Sequence, residues 1–496
     1  MIIPLRKAGA NPDNSKFFQN PACRQFMLGV LSISGVPYQM AERLFSVSKS
    51  QYISARKSAE HILEMLFQSG EMPEQIIVVT KSFIARCIMC LSMHCRAPIE
   101  SIVVFFTVVV GISVSKGTIW RIRKQAARKA EEFDSKIPLT EIREMATDEI
   151  FQQGRPVLTG IDLKTNYVFL MEPTEDRTGD TWNKAFDRQK EQGLLPDVNV
   201  SDNGSGLCKG VQQAFPGISL QPDAFHMLRD LGNEVHRVES NVWSILTEHH
   251  KLDRRTIRRL GKKLPYDVWK RYCELNKELP SILRYVDEVN ILYEWLREYV
   301  AFSGYGYEKT LLLCTWILDE MAARFVDRTK YQKAIKSFRE HLPELLAFLK
   351  RIQDRMNLKA AEFPHLNGHD FLLLCQQKYC CHDDDMYNYM EQRLYRRFGS
   401  RLPEARDALE EIIRSTHRAS SMIENLNGRL RCFMNLKREI PKDFMILIKV
   451  FVNTKKPFRS RHAGWEGTSA VERLTGKKYP EFLDIVCPPI DYLIRK

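Results

Sequence analysis

No stretch of this 496-residue chain is apolar for long enough to cross a membrane. The longest, Ile102 to Ile112, contains Thr107 and falls well short of the ~20 residues a span requires. A buried helix or strand is expected there. The opening MIIPLRKAGANPDNSK has no apolar centre of the kind a secretory leader needs, so no export signal is expected. A P-loop, a Rossmann glycine pattern and a nucleophile elbow are all missing, which argues against nucleotide cradling and serine acyl transfer. Internal repeats and low-complexity tracts are missing too. Twelve cysteines are scattered along the chain, and reduced thiols in a cytosolic or nuclear compartment are the expectation. Cys87, Cys90, His94 and Cys95 are close in sequence, but FIARCIMCLSMHC reads as an apolar helix and no second pair follows at finger spacing. Packing is expected of them, as it is of Cys208, Cys375 and Cys432. Cys380, Cys381, His382 and the acidic run Asp383 to Asp385 read as a solvated loop.

What is present is a substantial apolar fraction, 44%, and a surplus of positive charge. Lys plus Arg number 74 against 61 Asp plus Glu, for a net +13 and a pI near 9.1. The length implies two to four domains. The surplus suits a polyanionic partner, nucleic acid being the commonest, although a solvated basic surface would give the same count.

Residues 1–20 are polar and Asn-rich and read as a loose arm. From there to about 136 the apolar spacing of three and four predicts helices. Two segments resemble helix-turn-helix units. In the first, from Gln39, the residues Ala41, Leu44, Val47, Tyr52 and Ile53 are expected to form one buried face. In the second, from Pro98, Gly111 supplies a turn, Ser113 or Ser115 caps the next helix, and that helix carries Lys116, Arg121, Arg123 and Lys124. Basic side chains opposite a buried face are what a helix needs to meet phosphates in a major groove. Two ordinary helical hairpins remain the plain alternative.

Beyond Glu141 the texture changes. MATDEIF, RPVLTGID, NYVFLME, DVNVSD and ISLQPD are short and rich in β-branched or apolar residues, and turn residues separate them. Helices are expected from Thr181 to Gly193 and from Leu207 to Pro216-Gly217. The order is three antiparallel strands, helix, strand, helix, strand. From about Ala224 to Asn435 the chain reads as helical again, with a strongly basic piece from His249. An apolar helix follows Pro441.

Three carboxylates stand where they can converge. Asp148 lies mid-strand in MATDEIF. Asp202 ends VNVSD before Asn203-Gly204-Ser205-Gly206. Glu424 lies in SSMIENLNGRLR, a helix with Arg429 and Arg431 nearby. Hard divalent cations take oxygen ligands, and two of them roughly 3.5–4 Å apart can stabilise a pentacoordinate phosphate. The run VSDNGSGLCKGVQQAFPGISLQPDAFHMLRDL resembles DDE-type transposases of bacterial insertion sequences, close in style to the Mutator-like group. The match lies in Asp202, Gly206, Leu207, Phe215, Pro216, Gln221, Asp223 and His226. Ile423, Glu424, Leu426, Asn427, Leu430 and Arg431 resemble the group's glutamate segment, and Ser469 to Lys477 its closing stretch. Trp182 matches a tryptophan found at the start of a helix.

The resemblance covers about 141–480. It implies an RNase H-like catalytic domain of class α+β, interrupted by a large helical insertion. It also implies catalysis and metal binding by Asp148, Asp202 and Glu424, with Mg²⁺ or Mn²⁺ as two ions, supported by Asp223 and His226. The expected organisation is 1–136 helical and DNA-binding, 141–237 the first part of the catalytic domain, 238–410 the insertion, and 411–496 the catalytic helix and C-terminal segment. Asp162 competes with Asp148 as first carboxylate but falls at a hairpin turn, where aspartate is common for turn reasons. Glu149, adjacent to Asp148, alternates onto the other strand face. In the insertion, Arg254, Arg255, Arg258, Arg259, Lys262 and Lys263 offer a surface for DNA backbone, or simply a solvated helix face. The function expected is cleavage and strand transfer at the ends of a mobile element. A non-catalytic DNA-binding protein or regulator of the same descent is the alternative. Double-stranded DNA, a homo-oligomer on that DNA, no membrane, and a cytoplasmic, nucleoid-associated location complete the expectation.

Overall fold

Packing divides the chain into two units. One comprises Met1–Pro138, Met171–Pro173 and Arg429–Lys496, the other Leu139–Leu170 and Thr174–Gly428. The computed structural model describes residues 21–45, 47–66, 79–259, 262, 265–380, 384–417, 421–435, 439–460, 462 and 464–489. The 1–20 arm, Lys263, Cys381, His382 and Asp383 lie outside the described residues.

In the first unit, α1 (Pro21–Ile33), α2 (Tyr38–Phe45) and α3 (Lys49–Leu66) pack around Leu28, Ala41, Val47, Tyr52 and Ala55. Ala41, Val47 and Tyr52 are buried as their spacing predicts. Ile53 is 45% exposed, and Ala55 takes the inward place. Ala55 is nearly one turn from Tyr52, whereas Ile53 is rotated by about 100° from it. The side chain of Leu44 is outside the described set. Then come α4 (Lys81–Met93) and α5 (Ile99–Val104), which runs on as a π-helical stretch, Phe105–Val110, and stops at Gly111 with φ 73°. Ile102 to Ile112 is therefore largely helical but only one face is covered. Ile102, Phe106 and Ile112 are inside, while Val104, Val108 and Val109 are exposed. Of the two candidate caps it is Ser115 that accepts from Thr118 N, at 3.1 Å, and starts α6 (Lys116–Asp134).

The second unit holds the sheet apart from Met171–Pro173, the end of its third strand. Its elements run β1 (Glu144–Gln152), β2 (Arg155–Asp162), β3 (Val168–Pro173), α7 (Gly179–Glu191), β4 (Val198–Ser201), α8 (Ser205–Ala214) and β5 (Ser219–Pro222). The spatial order is β3-β2-β1-β4-β5. β2 is antiparallel to β1, β4 runs parallel to β1, and β5 parallel to β4. Gln152 pairs with Arg155, so the first hairpin has a two-residue loop, and both Gln153 and Gly154 have positive φ. That geometry matches the right-handed twist of the strands and fixes their register.

Helices follow: α9 (Ala224–Ile257), α10 (Tyr266–Phe302), α11 (Tyr307–Ala322), α12 (Thr329–Glu340), α13 (Leu342–Leu345), α14 (Ala347–Ala360), α15 (Gly368–Cys380), α16 (Asp384–Phe398) and α17 (Leu402–Ser415). One apolar core runs through them from Leu231 to Ile412. The next helix, α18 (Ser421–Met434), carries Glu424.

The C-terminal part of the first unit adds α19 (Lys442–Thr454), α20 (Ala470–Thr475) and α21 (Phe482–Val486). Lys449 of α19 and Asp134 of α6 form an ion pair of 2.8 Å with both side chains buried. Ser469 and Glu472 make a reciprocal capping box, and Gly476 ends α20 with φ 69°. The stretch Ser469 to Lys477 is thus a capped helical turn. The protein is a mostly helical α+β molecule with one small mixed sheet, and no described helix is long and apolar enough to cross a membrane.

Candidate functional site

Asp148 sits mid-strand in β1, opposite Thr159 of β2. On its other side, β1 and β4 pair in parallel from Glu144↔Val198 to Ala146↔Val200. Two further steps of that register set Asp148 abreast of Asp202, the residue that follows β4. Asn203 turns the chain with φ 67°, and Asp202 Oδ1 accepts from Gly204 N at 3.1 Å. Burial, with the charge of Asp202 adding to it, pushes the Asp148 carboxyl up to about 6 against an opposing hydrogen bond from Glu149 N. Glu149 turns to the other strand face, where Trp182 Nε1 donates to it at 3.1 Å and Arg177 at 3.2 Å. The matched tryptophan therefore holds a structural carboxylate. Gly206 and Gly210 of α8 are needed for contact: a Cβ at either would clash with the Arg177 carbonyl oxygen or the Trp182 Cβ.

Asp223 is buried and caps α9, accepting from Phe225 N at 2.7 Å. His226, one turn on, places Nδ1 3.2 Å from Asp223 Oδ2 and Nε2 3.8 Å from Glu424 Oε1. The Asp223 contact outweighs burial and raises the imidazole above its usual range. Asp223 is thus a cap, and its second oxygen lies at ion-pair distance from His226 Nδ1 without a hydrogen bond between them. From α18, Asn427 Nδ2 donates to Asp148 Oδ2 at 2.6 Å. Asp148, Asp202, Asp223, His226, Glu424 and Asn427 all belong to the second unit.

The return of the chain to this site is fastened by a cluster that the sequence does not advertise. Glu144, the first residue of β1, takes Arg355 Nη2 at 2.8 Å and His417 Nδ1 at 3.1 Å, with Arg351 Nε at 3.9 Å. Arg351 also donates to Gln221 of β5 and to the His417 carbonyl. Helix α14 is thereby tied to two strands and to the link that leads into α18. Arg351 and Arg355 are one helical turn apart, a spacing common to any exposed face, so no sequence signal singles them out.

Asp162 closes the β2–β3 turn. It is buried and accepts from Thr165 N at 2.8 Å and from the Thr165 hydroxyl. Its role there is conformational, as its turn position implies.

The expected DNA-facing cations separate into two kinds. Lys116, Arg121 and Lys124 are exposed on α6, Lys116 being paired with Glu100. Arg123 is only 4% exposed. Its guanidinium donates to Ser92 Oγ and lies over the Phe444 ring, so it holds the first unit together and does not join the exposed face. The reason is rotation: Arg123 follows Ile119 by four residues and shares its inward side. Trp120, Arg121 and Lys124 line a cleft of about 430 Å³ with Phe444 and Asp443. Arg254, Arg255, Arg258, Arg259 and Lys262 are exposed at the end of α9 and just beyond, with no acidic partner among the described residues. Arg431 is exposed. Arg429 is half-buried, and burial lowers its proton affinity.

Among the described residues, no three His, Cys, Asp or Glu side chains are gathered tightly enough to hold a metal ion as they stand. Cys87 and Cys90 are half-buried, and burial pushes the Cys87 thiol up to about 11. No family model matches this chain, and no curated protein matches it.

Proposed function

We propose that the chain is an RNase H-like enzyme that acts on phosphodiester bonds with divalent cations. Within that class, we propose a DDE-type transposase that cleaves DNA at the ends of a mobile element and transfers the strand. The observation that carries this reading is the parallel pairing of β1 with β4, whose register extended by two residues sets Asp148 beside Asp202, together with the approach of the Glu424 helix, Asn427 lying 2.6 Å from Asp148 and Glu424 3.8 Å from His226. Asn427 and Asp148 are 279 positions apart, so the approach of the Glu424 helix to β1 is not a local accident. The strand order and the sequence pattern around Asp202, His226 and Glu424 support the same reading.

The donor set suits a hard cation. It is all oxygen, and beside it Asn427 donates to Asp148 and keeps a buried amide oxygen that has no hydrogen-bond partner. Asp148, Asp202 and Glu424 would hold Mg²⁺ or Mn²⁺, expected as two ions. Such ions supply neutralisation of phosphate charge and an activated water. Asp223 flanks His226, and His226 stands beside Glu424. The α5–α6 pair around Gly111 is read as a helix-turn-helix unit that grips duplex DNA through Lys116, Arg121 and Lys124. The cations at the end of α9 serve as a second contact with DNA backbone. A homo-oligomer on DNA accompanies this reading.

The test is cleavage of duplex DNA spanning the flanks of the coding region, with Mg²⁺ or Mn²⁺ and with EDTA. Metal-dependent cuts support the proposal. Salt-sensitive binding without any cut under all conditions favours the non-catalytic alternative.

A further inference from the structure

We infer that Asn427 is a positioning residue of the carboxylate site: it fastens the helix of Glu424 to the strand of Asp148 and so sets Glu424 relative to that carboxylate. This rests on the metal-dependent reading above.

Four observations carry it. The bond from Asn427 Nδ2 to Asp148 Oδ2, 2.6 Å, joins residues 279 positions apart, with α9 to α17 between them. Asn427 lies three residues after Glu424 on α18, so the two share a face. Pinning one to β1 sets the height and rotation of the other. Glu424 needs such help, because its side chain is 43% exposed and its ion-pair partner among the described residues, His226, is 3.8 Å away.

The chemistry of an amide suits the position. A carboxylate has about four lone-pair sites. Glu149 N takes one on Asp148 Oδ1 and Asn427 takes one on Oδ2, so each oxygen keeps a site for a cation. A second carboxylate in place of Asn427 would repel Asp148, and an apolar side chain would leave Oδ2 without a donor. The orientation of the amide follows, since its NH₂ must face the carboxylate. That leaves Asn427 Oδ1 pointing the other way. The residue is only 5% exposed, and this oxygen is buried without a hydrogen-bond partner. Buried carbonyl oxygens are seldom left so.

The test is titration of the full-length protein with Mn²⁺ alone, followed by calorimetry, for wild type, Asn427→Leu, Asn427→Ser and Asp148→Asn. Circular dichroism and DNA affinity in EDTA report whether each variant folds. Loss of an outer partner of a metal ligand typically costs 10–100-fold in metal affinity. Asn427→Leu is therefore expected to bind Mn²⁺ 10–100-fold more weakly with DNA affinity in EDTA unchanged. Asn427→Ser, which keeps a small donor, is expected to lose less, and it carries the test if the leucine variant does not fold. In the Asp148→Asn background, Asn427→Leu should add little further loss. Wild-type Mn²⁺ affinity in a folded Asn427→Leu protein overturns this inference and leaves the metal reading standing. No Mn²⁺ binding by wild type overturns the metal reading and this inference with it.

Discussion

His226 Nε2 lies 3.8 Å from Glu424 Oε1, across a sequence gap that runs from α9 through α17. The other ring nitrogen lies 3.2 Å from Asp223 Oδ2, at ion-pair distance but without a hydrogen bond. On this geometry His226→Ala should leave Glu424 without its ion-pair partner among the described residues. Cleavage should fall by 10-fold or more while DNA affinity in EDTA is unchanged. Full activity in His226→Ala would mean that the contact is incidental.

Glu144 gives a pH-dependent test of the fold around the site. Burial by itself would raise its carboxyl. The His417 hydrogen bond and the charges of Arg351 and Arg355 outweigh burial and hold it below the usual carboxylate range. A depressed folded-state value means the stabilisation is fully present above the unfolded value of about 4.3 and fades as pH falls through the folded one. Glu144→Gln should cost about 2 kcal/mol at pH 7 by denaturant unfolding, the scale of a charged hydrogen bond lost. The gap to wild type should close in acid. A gap that stays constant down to acid pH would contradict the ion cluster.

Lys449 and Asp134 test the first unit. Their side chains are 6% and 4% exposed. Lys449→Met deprives a buried carboxylate of its cation, and a loss of roughly 3–5 kcal/mol is expected. The double variant Lys449→Met with Asp134→Leu should recover much of it. Equal losses in the single and double variants would show that the pair is not the source.

The glycines of α8 and α18 make opposite predictions. Gly206→Ala drives a methyl into the Arg177 carbonyl, and a cost of about 1–3 kcal/mol is expected. Gly428→Ala meets open space on an exposed helix face and should be neutral or stabilising by up to about 1 kcal/mol. Thermal unfolding of the two variants side by side decides; similar shifts in both would contradict the packing of α8 on α7.

The DNA face can now be tested without Arg123. Reversing Arg121 and Lys124 to Glu should weaken duplex binding and flatten its salt dependence by about one logarithmic unit of slope per lost phosphate contact. Arg123→Met should instead lower stability, since Arg123 is tied to Ser92 and Phe444. A gel-shift series over salt separates the two, and unchanged slopes would remove α6 from the interface.

Much of this was legible from local chemistry. The strand boundaries around Asp148 follow from alternation and from Gln153-Gly154, whose positive φ values make the tight hairpin. Ser115 announces a helix start because its hydroxyl reaches a free N–H group of the first turn; Thr178 and Ser469 do the same in the structure but are not among the caps expected from the sequence. Asp162 was readable as a turn residue for the same kind of reason. What was not legible depends on rotation and on distant partners. Arg123 differs from Arg121 only by which side of α6 it shares with Ile119. Ile53 and Ala55 differ likewise. The Glu144 cluster and the Asn427–Asp148 bond join elements more than two hundred positions apart, and one sequence carries no signal for such pairs.

The most direct test of the central claim is one cleavage assay on flanking duplex DNA with Mg²⁺ or Mn²⁺, run for wild type, Asp148→Asn, Asp202→Asn, Glu424→Gln and Asp162→Asn. Wild type should cut only with metal. The first three variants should bind DNA and not cut, and Asp162→Asn should keep most of its activity. Cutting by Asp148→Asn together with a dead but folded Asp162→Asn would contradict the account, because the reactive carboxylate would then lie on β2 and not on β1.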